Sequence, residues 1–288
     1  MQIVSDRGMD LTAEQMEGLN IQLAPLVIQL DGKTYVSGVD IQPKGFYELL
    51  LSADGMPTTS LPSPGDFAEL YRELAQDDPD ILSVHISSGL SSTLNSAQQG
   101  ARMVSEANIA FFDTLTLSGA EGWHVEAAAH AAQAGWPLER ILVLLERVRE
   151  QTETLFTLPD LKYLIHGGRI SHIKGLLASV LNIKPVISVS KEDGRYYQRA
   201  QQRTLKRAMR KIVDLIVEDV GEEGIPLRVQ VMHANNPDDA TTLRQLIDER
   251  FDCTWLPVGS IAPVLGAHTG PGLVGAVYAP LAAYPEFP

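Results

Sequence analysis

The stretch ILSVHISSGLSSTLNSAQQG, residues 81–100, sets the reading of this chain. An apolar run from Ile81 to Ile86 breaks into serines and a glycine, and a helix-like pattern follows from about Ser91 to Glu106. A strand turning into a helix through Ser87, Ser88, Gly89, Ser91, Ser92 and Thr93 is the repeating unit of an α/β sheet. In such sheets ligands favour the crevice beyond the carboxyl ends of the strands, where the next helix offers unpaired N–H groups and the positive end of its dipole. Two readings of the serines stay open. One serine is an N-cap worth about 1 kcal/mol, or the hydroxyls of Ser91, Ser92 and Thr93 donate to an anion that Gly89 lets approach. The run lacks the second glycine of G-x-S-x-G, so it is a poor nucleophile elbow, and it does not fit the P-loop pattern.

Working outward, strands and helices alternate. Ile3–Val4 reads as a strand, Leu11–Leu19 has helical spacing, and IQLAPLVIQL (21–30) is followed by the hairpin signal Asp31-Gly32. Helices are expected over Pro43–Ser52, from Gly65 to Ala75, through the Ala-rich segment after residue 120, and after Pro137. The second half alternates in the same way, with helix 171–181, strand NIKPVISV, a connection through Asp193-Gly194, helix 203–219, strand LRVQVMHA and helix 237–249. This pattern predicts an α/β protein with a largely parallel sheet flanked by helices, in two lobes of residues 1–158 and 159–288.

A net charge of −13 opposes general binding to nucleic acid, and repulsion from an anionic membrane limits contact there. One cysteine, Cys253, forms neither an internal disulfide nor a multi-thiolate metal site, which fits a reducing cytoplasm. The opening MQIVSDRGMDLTAEQ does not read as a signal peptide. Residues 258–283 contain no charged residue, yet Pro263, Pro271 and Pro280 break them into buried loop, turn and strand rather than a membrane span. No histidine spacing suggests a metal site, and no cofactor motif is present.

Other candidate site residues lie in three places. Thr58, Thr59 and Ser60 form a hydroxyl cluster stiffened by Pro57, Pro62 and Pro64. Arg169 follows two glycines in HGGRI, where it grips an anion, docks a partner or merely follows a helix cap. His268 in GAHTGPG is a carboxylate partner, an acid–base group or a structural histidine. In RTLKRAMRKIVDLIV, Leu205, Met209, Ile212 and Ile216 form a core stripe, and Arg203, Arg207 and Arg210 share another face. Cations there crowd the positive end of the helix dipole, which points to an anion or acidic partner unless the face is simply solvated.

Together these marks resemble the DegV family of bacterial fatty-acid-binding proteins. The likeness runs from IVSD through IQLAPLVIQLDGKTYVSGVDI, TTSLPSPGDF, HISSGLSSTLNSA, HGGRI, NIKPVI, RTLKRA and GAHTGPG, nearly the whole chain. One departure is Arg7, where the family usually has serine after the aspartate. The resemblance implies a two-lobed α/β fold enclosing one long-chain fatty acid between the lobes. It implies a non-catalytic subunit of a fatty acid kinase, presenting its ligand to a separate catalytic subunit for phospholipid synthesis. By the same resemblance, Thr59, Ser60, Ser91, Ser92 and His268 hold the carboxylate, while Arg203 lies near the head group and Arg169 nearby at the partner-docking surface. A stand-alone hydrolase or phosphotransferase using Ser91 and His268, and a lipid carrier without a kinase, are the competing readings.

Overall fold

The structure, a computed structural model, describes residues 1–173, 183–221 and 224–288. The first lobe contains β1 (Gln2–Asp6), β2 (Ile21–Ala24), β3 (Val27–Leu30), β4 (Lys33–Val36), β5 (Thr58–Ser60), β6 (Asp80–His85) and β7 (Asn108–Asp113). Its helices are α1 (Pro43–Ser52), α2 (Pro64–Leu74), α3 (Thr93–Ala101), α4 (Ser118–Gln133) and α5 (Leu138–Gln151). Strands in the order β2-β1-β6-β7 form a parallel sheet, and β4-β3-β5 form a small antiparallel one. Asp31 and Gly32 both take positive φ in the β3–β4 turn, the conformation that their pairing anticipates. Helix α2 starts at Ser63 with a reciprocal cap: Ser63 Oγ accepts from Asp66 N and the Asp66 carboxylate accepts from Ser63 N.

The second lobe contains β8 (Glu153–Thr157), β9 (Lys184–Val189), β10 (Tyr196–Gln202), β11 (Pro226–His233), β12 (Asp252–Trp255), β13 (Gly259–Ser260) and β14 (Val274–Pro280). Helices α6 (Lys162–His166), α7 (Leu205–Val220), α8 (Pro237–Asp248) and α9 (Pro263–Thr269) accompany them. The sheet order is β10-β9-β8-β14-β11-β12, with β13 also on β11. The α/β two-lobed architecture is as expected, but this sheet is mixed rather than largely parallel. The β10/β9, β9/β8, β8/β14 and β14/β11 ladders are antiparallel, and only the two ladders from β11 to β12 and β13 are parallel. The short Asp193-Gly194 connection forces β9 and β10 into a hairpin, since a parallel pair needs a long crossover. The division proposed at residue 158 falls just after β8, a strand paired within this second sheet.

Two further expectations differ. Residues 13–18 form turns rather than a helix, ending at Gly18 with φ +76°. Arg203 precedes α7 instead of lying on it, because Thr204 is the N-cap and accepts from Arg207 N. The helix expected over 171–181 lies outside the described residues beyond its first positions, which belong to a 3-10 turn, Arg169–His172. No helix among the described residues is long and apolar enough to cross a membrane. The uncharged segment near the C-terminus supplies α9 and the buried central strand β14.

The lobes are joined through α4. One face of the parallel sheet carries α2 and α3, whose core includes Phe67, Tyr71 and Ala97. On the other side α4 touches β1 and β6, and Gly119 on α4 meets Met232 and Val277 of the second sheet. Sandwiched between two sheets, α4 is buried around nearly its whole circumference, which accounts for its run of small residues. Beyond the second sheet, α7 and α8 close the outer core with Met209, Ile212, Ile216 and Leu243.

Candidate functional site

A cavity of about 260 Å³ opens between the lobes, with Thr59, Ser60, Ser91, Arg169, Tyr196 and His268 among its lining. These side chains arrive from both lobes. Strand β5 presents Thr59 and Ser60, the turn after β6 presents Ser91, α9 presents His268, and the segment after α6 presents Arg169. Ser60 and Leu61 are exposed, so the cavity reaches the surface at β5.

The turn after β6 is held from both sides. Asp6 accepts from Gly8 N and Ile86 N and lies 2.9 Å from His85 Nδ1, whose Nε2 meets Ser83 Oγ at 2.7 Å. This Ser–His–Asp row is wholly buried and away from the cavity, so it is a fastening of the sheet rather than a reacting group. Ser87 Oγ donates to Gly194 O at 2.7 Å. Gly89, expected to let a ligand approach, instead admits the second lobe: a Cβ there would stand 2.2 Å from Asp193 O. The serine cluster thus seals the lobes with its first half and lines the cavity with Ser91.

Ser91 Oγ accepts from Thr93 N at 3.3 Å and lies 2.8 Å from Thr93 Oγ1. When the buried Thr93 hydroxyl is the donor of this pair, the Ser91 O–H is left to point at an acceptor in the cavity. His268 Nε2 lies 2.8 Å from Thr59 Oγ1, and its Nδ1 is buried with no hydrogen-bond partner among the described residues. Burial pushes the imidazole down to about 4, aided by the positive charge of Arg169 and by His166. A neutral ring carries one N–H, and a buried orphan donor costs more than an orphan acceptor. The proton therefore sits on Nε2, donates to Thr59 Oγ1, and leaves the threonine O–H free to donate into the cavity. Gly167 packs on the ring so tightly that a Cβ would come within 2.1 Å of Nδ1.

Arg169 supplies the positive potential. Its Nη1 donates to Gly167 O at 2.6 Å and its Nε to Leu90 O at 3.4 Å, and it forms no ion pair with a carboxylate among the described residues. Tyr196 does not stand out in the sequence, although RYYQRAQQ places it next to the Asp193-Gly194 turn. It lines the cavity, and burial raises its pKa, so the phenol remains an O–H donor. Two expected residues lie apart: Ser92 is exposed at the start of α3 and Arg203 is exposed before α7, and neither lines the cavity. A nucleophile–base pair is not assembled either, since Ser91 is engaged with Thr93 and His268 with Thr59.

An apolar slit with Phe156, Met232 and Val277 in its walls adjoins the cavity and shares Leu117, Tyr196 and Leu265 with it. The space is hydroxylic and cationic at one end and hydrocarbon at the other. It suits an amphiphile with a small anionic head and a long apolar tail. No group of His, Cys, Asp or Glu among the described residues is arranged to hold a metal ion.

Burial also pushes His124, on α4, down to about 4 despite its bond to Ala120 O at 2.8 Å. Below an ordinary histidine pKa of about 6.5, the unfolded chain takes up a proton that the folded chain refuses until about pH 4. Stability held above pH 6.5 is therefore lost progressively as the pH falls through that window. His124→Gln is expected to remove this loss, so that its thermal midpoint gains on the wild type as pH falls from 7 to 4, by the equivalent of about 3 kcal/mol. Asp10, raised to about 7 by burial, slopes the opposite way in both proteins and cancels in the difference.

A family model described as "Uncharacterised protein, DegV family" matches residues 1–281. A DegV domain-containing protein of Staphylococcus aureus is 33% identical over 275 residues, covering 96% of this chain and 97% of its own. A DegV-family protein of Thermus thermophilus, described for its fatty acid binding, superposes with a TM-score of 0.87 at 30% identity, covering 97% of this chain and 99% of that one. A fatty-acid-binding protein of Bacillus subtilis, DegV, gives 0.85 at 28% identity, with coverages of 96% and 98%.

Proposed function

This chain belongs to the DegV family, and from that premise we propose that it binds one long-chain fatty acid between its lobes and presents it to a separate ATP-dependent kinase. The observation that carries the reading is an apolar slit adjoining the hydroxyl-lined cavity, with Leu117, Tyr196 and Leu265 in the walls of both. Thr59, backed by neutral His268, and Ser91 donate to the carboxylate, with Ser60 at the exposed rim beside them. The tail enters the slit, where each buried methylene contributes about 0.8 kcal/mol and supplies most of the affinity.

Neutral donors orient a carboxylate without quenching the oxygen that must attack the γ-phosphate of ATP. The protein is not itself a catalyst in this scheme; the partner supplies ATP and forms the acyl phosphate used in phospholipid synthesis in the cytoplasm. Arg169 draws the head group to the cavity and Arg203, exposed before α7, meets the partner, with Ser92 on the solvent side of the rim. Membrane contact is at most transient.

Two substitutions test this division. Arg203→Ala is expected to leave fatty acid affinity within about twofold while lowering acyl-phosphate formation by a purified kinase partner about tenfold, read by hydroxylamine trapping. Loss of fatty acid retention in a folded Arg203→Ala protein would overturn the assignment of this arginine. Unchanged phosphorylation in both Arg203→Ala and Arg169→Ala would remove the docking role from this face.

A further inference from the structure

The sheet beneath the apolar slit is built in two rows. In the β8–β14–β11 register, Phe156 pairs with Gly275 and Gly275 with Met232; two residues deeper, Thr154 pairs with Val277 and Val277 with Gln230. Gly275 leaves a low floor between the Phe156 and Met232 side chains, and Leu117 and Ser118 roof it. At Gly119 the roof meets the floor. A Cβ on Gly119 would stand 2.9 Å from Met232 Sδ, 3.3 Å from Val277 Cγ2 and 3.3 Å from Gln230 Oε1. Met232 and Val277 line the slit, whereas Gln230 does not. Its side-chain amide accepts from Trp123 Nε1 at 2.8 Å and donates to Gln15 Oε1 and Pro257 O. Behind the closure, then, lies a buried amide with its hydrogen bonds made, a poor place for a hydrocarbon to advance.

Building on the fatty acid reading above, we propose that Met232 and Val277, pinched beneath Gly119, are the stop for the methyl end of the tail and set the longest tail accepted. The free space in the slit is about 30 Å³, enough for about one water-sized group, so a tail settles by displacing side chains. Met232 is the adjustable one, unbranched and flexible. Its Cε and Sδ rest against Gly259, where a Cβ would come within 2.3 and 2.5 Å of them. Gly259 is not in the left-handed region, so alanine is accepted there by its backbone. The two sides of Met232 therefore predict opposite effects. Met232→Ala deletes the side chain beyond Cβ and lengthens the slit by about two to three methylenes. Gly259→Ala drives the end of Met232 into the slit and shortens it.

The test uses the full-length wild type and both variants, in competition binding with saturated fatty acids of about 12 to about 20 carbons, each methylene being worth about fourfold. The optimum is expected to move up by about two carbons in Met232→Ala, with preference for the longer acid rising about tenfold, and down by one or more in Gly259→Ala. Val277→Ala, which trims the same wall, reads the upward shift if Met232→Ala does not fold. Fatty acid binding with the same optimum in the wild type and all folded variants would overturn the stop alone. A wild type that binds none of the series would overturn the fatty acid reading and the stop with it.

Discussion

Thr59→Val is expected to weaken binding of a long-chain fatty acid by about ten- to hundredfold, the range for losing a hydrogen bond to a charged group. Valine keeps the shape of threonine and removes only the hydroxyl, so the slit that holds the tail is unchanged. The hydroxyl is the last donor of a short relay: His268 Nε2–H fixes the orientation of Thr59 Oγ1 across 2.8 Å and aims its proton into the cavity. Because the imidazole is held down at about 4 by burial, this relay stays neutral and intact through ordinary pH. Titration with a fatty acid, alongside a thermal scan to show that the fold is kept, measures the effect. Unchanged affinity in a folded Thr59→Val protein would mean that the carboxylate sits elsewhere, with Ser91 and Arg169 the next to replace.

The largest loss of stability is expected from Trp123→Ala, about 3–5 kcal/mol for emptying so large a buried site. Trp123 is completely buried in the helix between the two sheets. Its indole donates to Gln230, its ring meets Tyr284 edge-on at 5.4 Å, and the Arg228 guanidinium lies 4.9 Å from its centroid. Truncation leaves a cavity and an unpaired amide oxygen, and removes one of the two rings beside the Arg228 guanidinium. Denaturant unfolding should show the lost stability, and a thermal scan a midpoint lower by about 10 °C. Trp123→Phe should fall between the two, since it refills most of the volume but still strands Gln230 Oε1. A loss below about 1 kcal/mol for the alanine would contradict the view that this helix fastens the lobes together.

Much of this molecule is legible in its amino-acid sequence. Local rules suffice where the physics is local: Asp31-Gly32 sets a hairpin, and the proline- and serine-rich loop before Gly65 ends in the cap of α2. The apolar stripe of α7 faces the outer core as its spacing requires. Failures come where tertiary contacts decide. Leu11 has helical neighbours in sequence, but its side chain is claimed by Gly122, where a Cβ would stand 2.9 Å from Leu11 Cδ2. Strand direction in the second sheet depends on which distant strands meet, and no spacing announces that β14 runs between β8 and β11. At the site, the chemistry of Thr59, Ser91 and His268 shows in residue type, whereas Tyr196, Leu117 and Leu265 are ordinary residues until the fold brings them to one wall. Gly89 is the instructive misreading: it serves close approach, but of the Asp193-Gly194 turn rather than of a ligand.

The proposed function rests on one fatty acid occupying the space between the lobes. Mass spectrometry of the purified protein under native and then denaturing conditions, with organic extraction of what is released, tests it directly. A native mass exceeding the denatured mass by one long-chain fatty acid, recovered in the extract, is expected. A native mass equal to that of the bare chain, unchanged after incubation with added fatty acids, would contradict it.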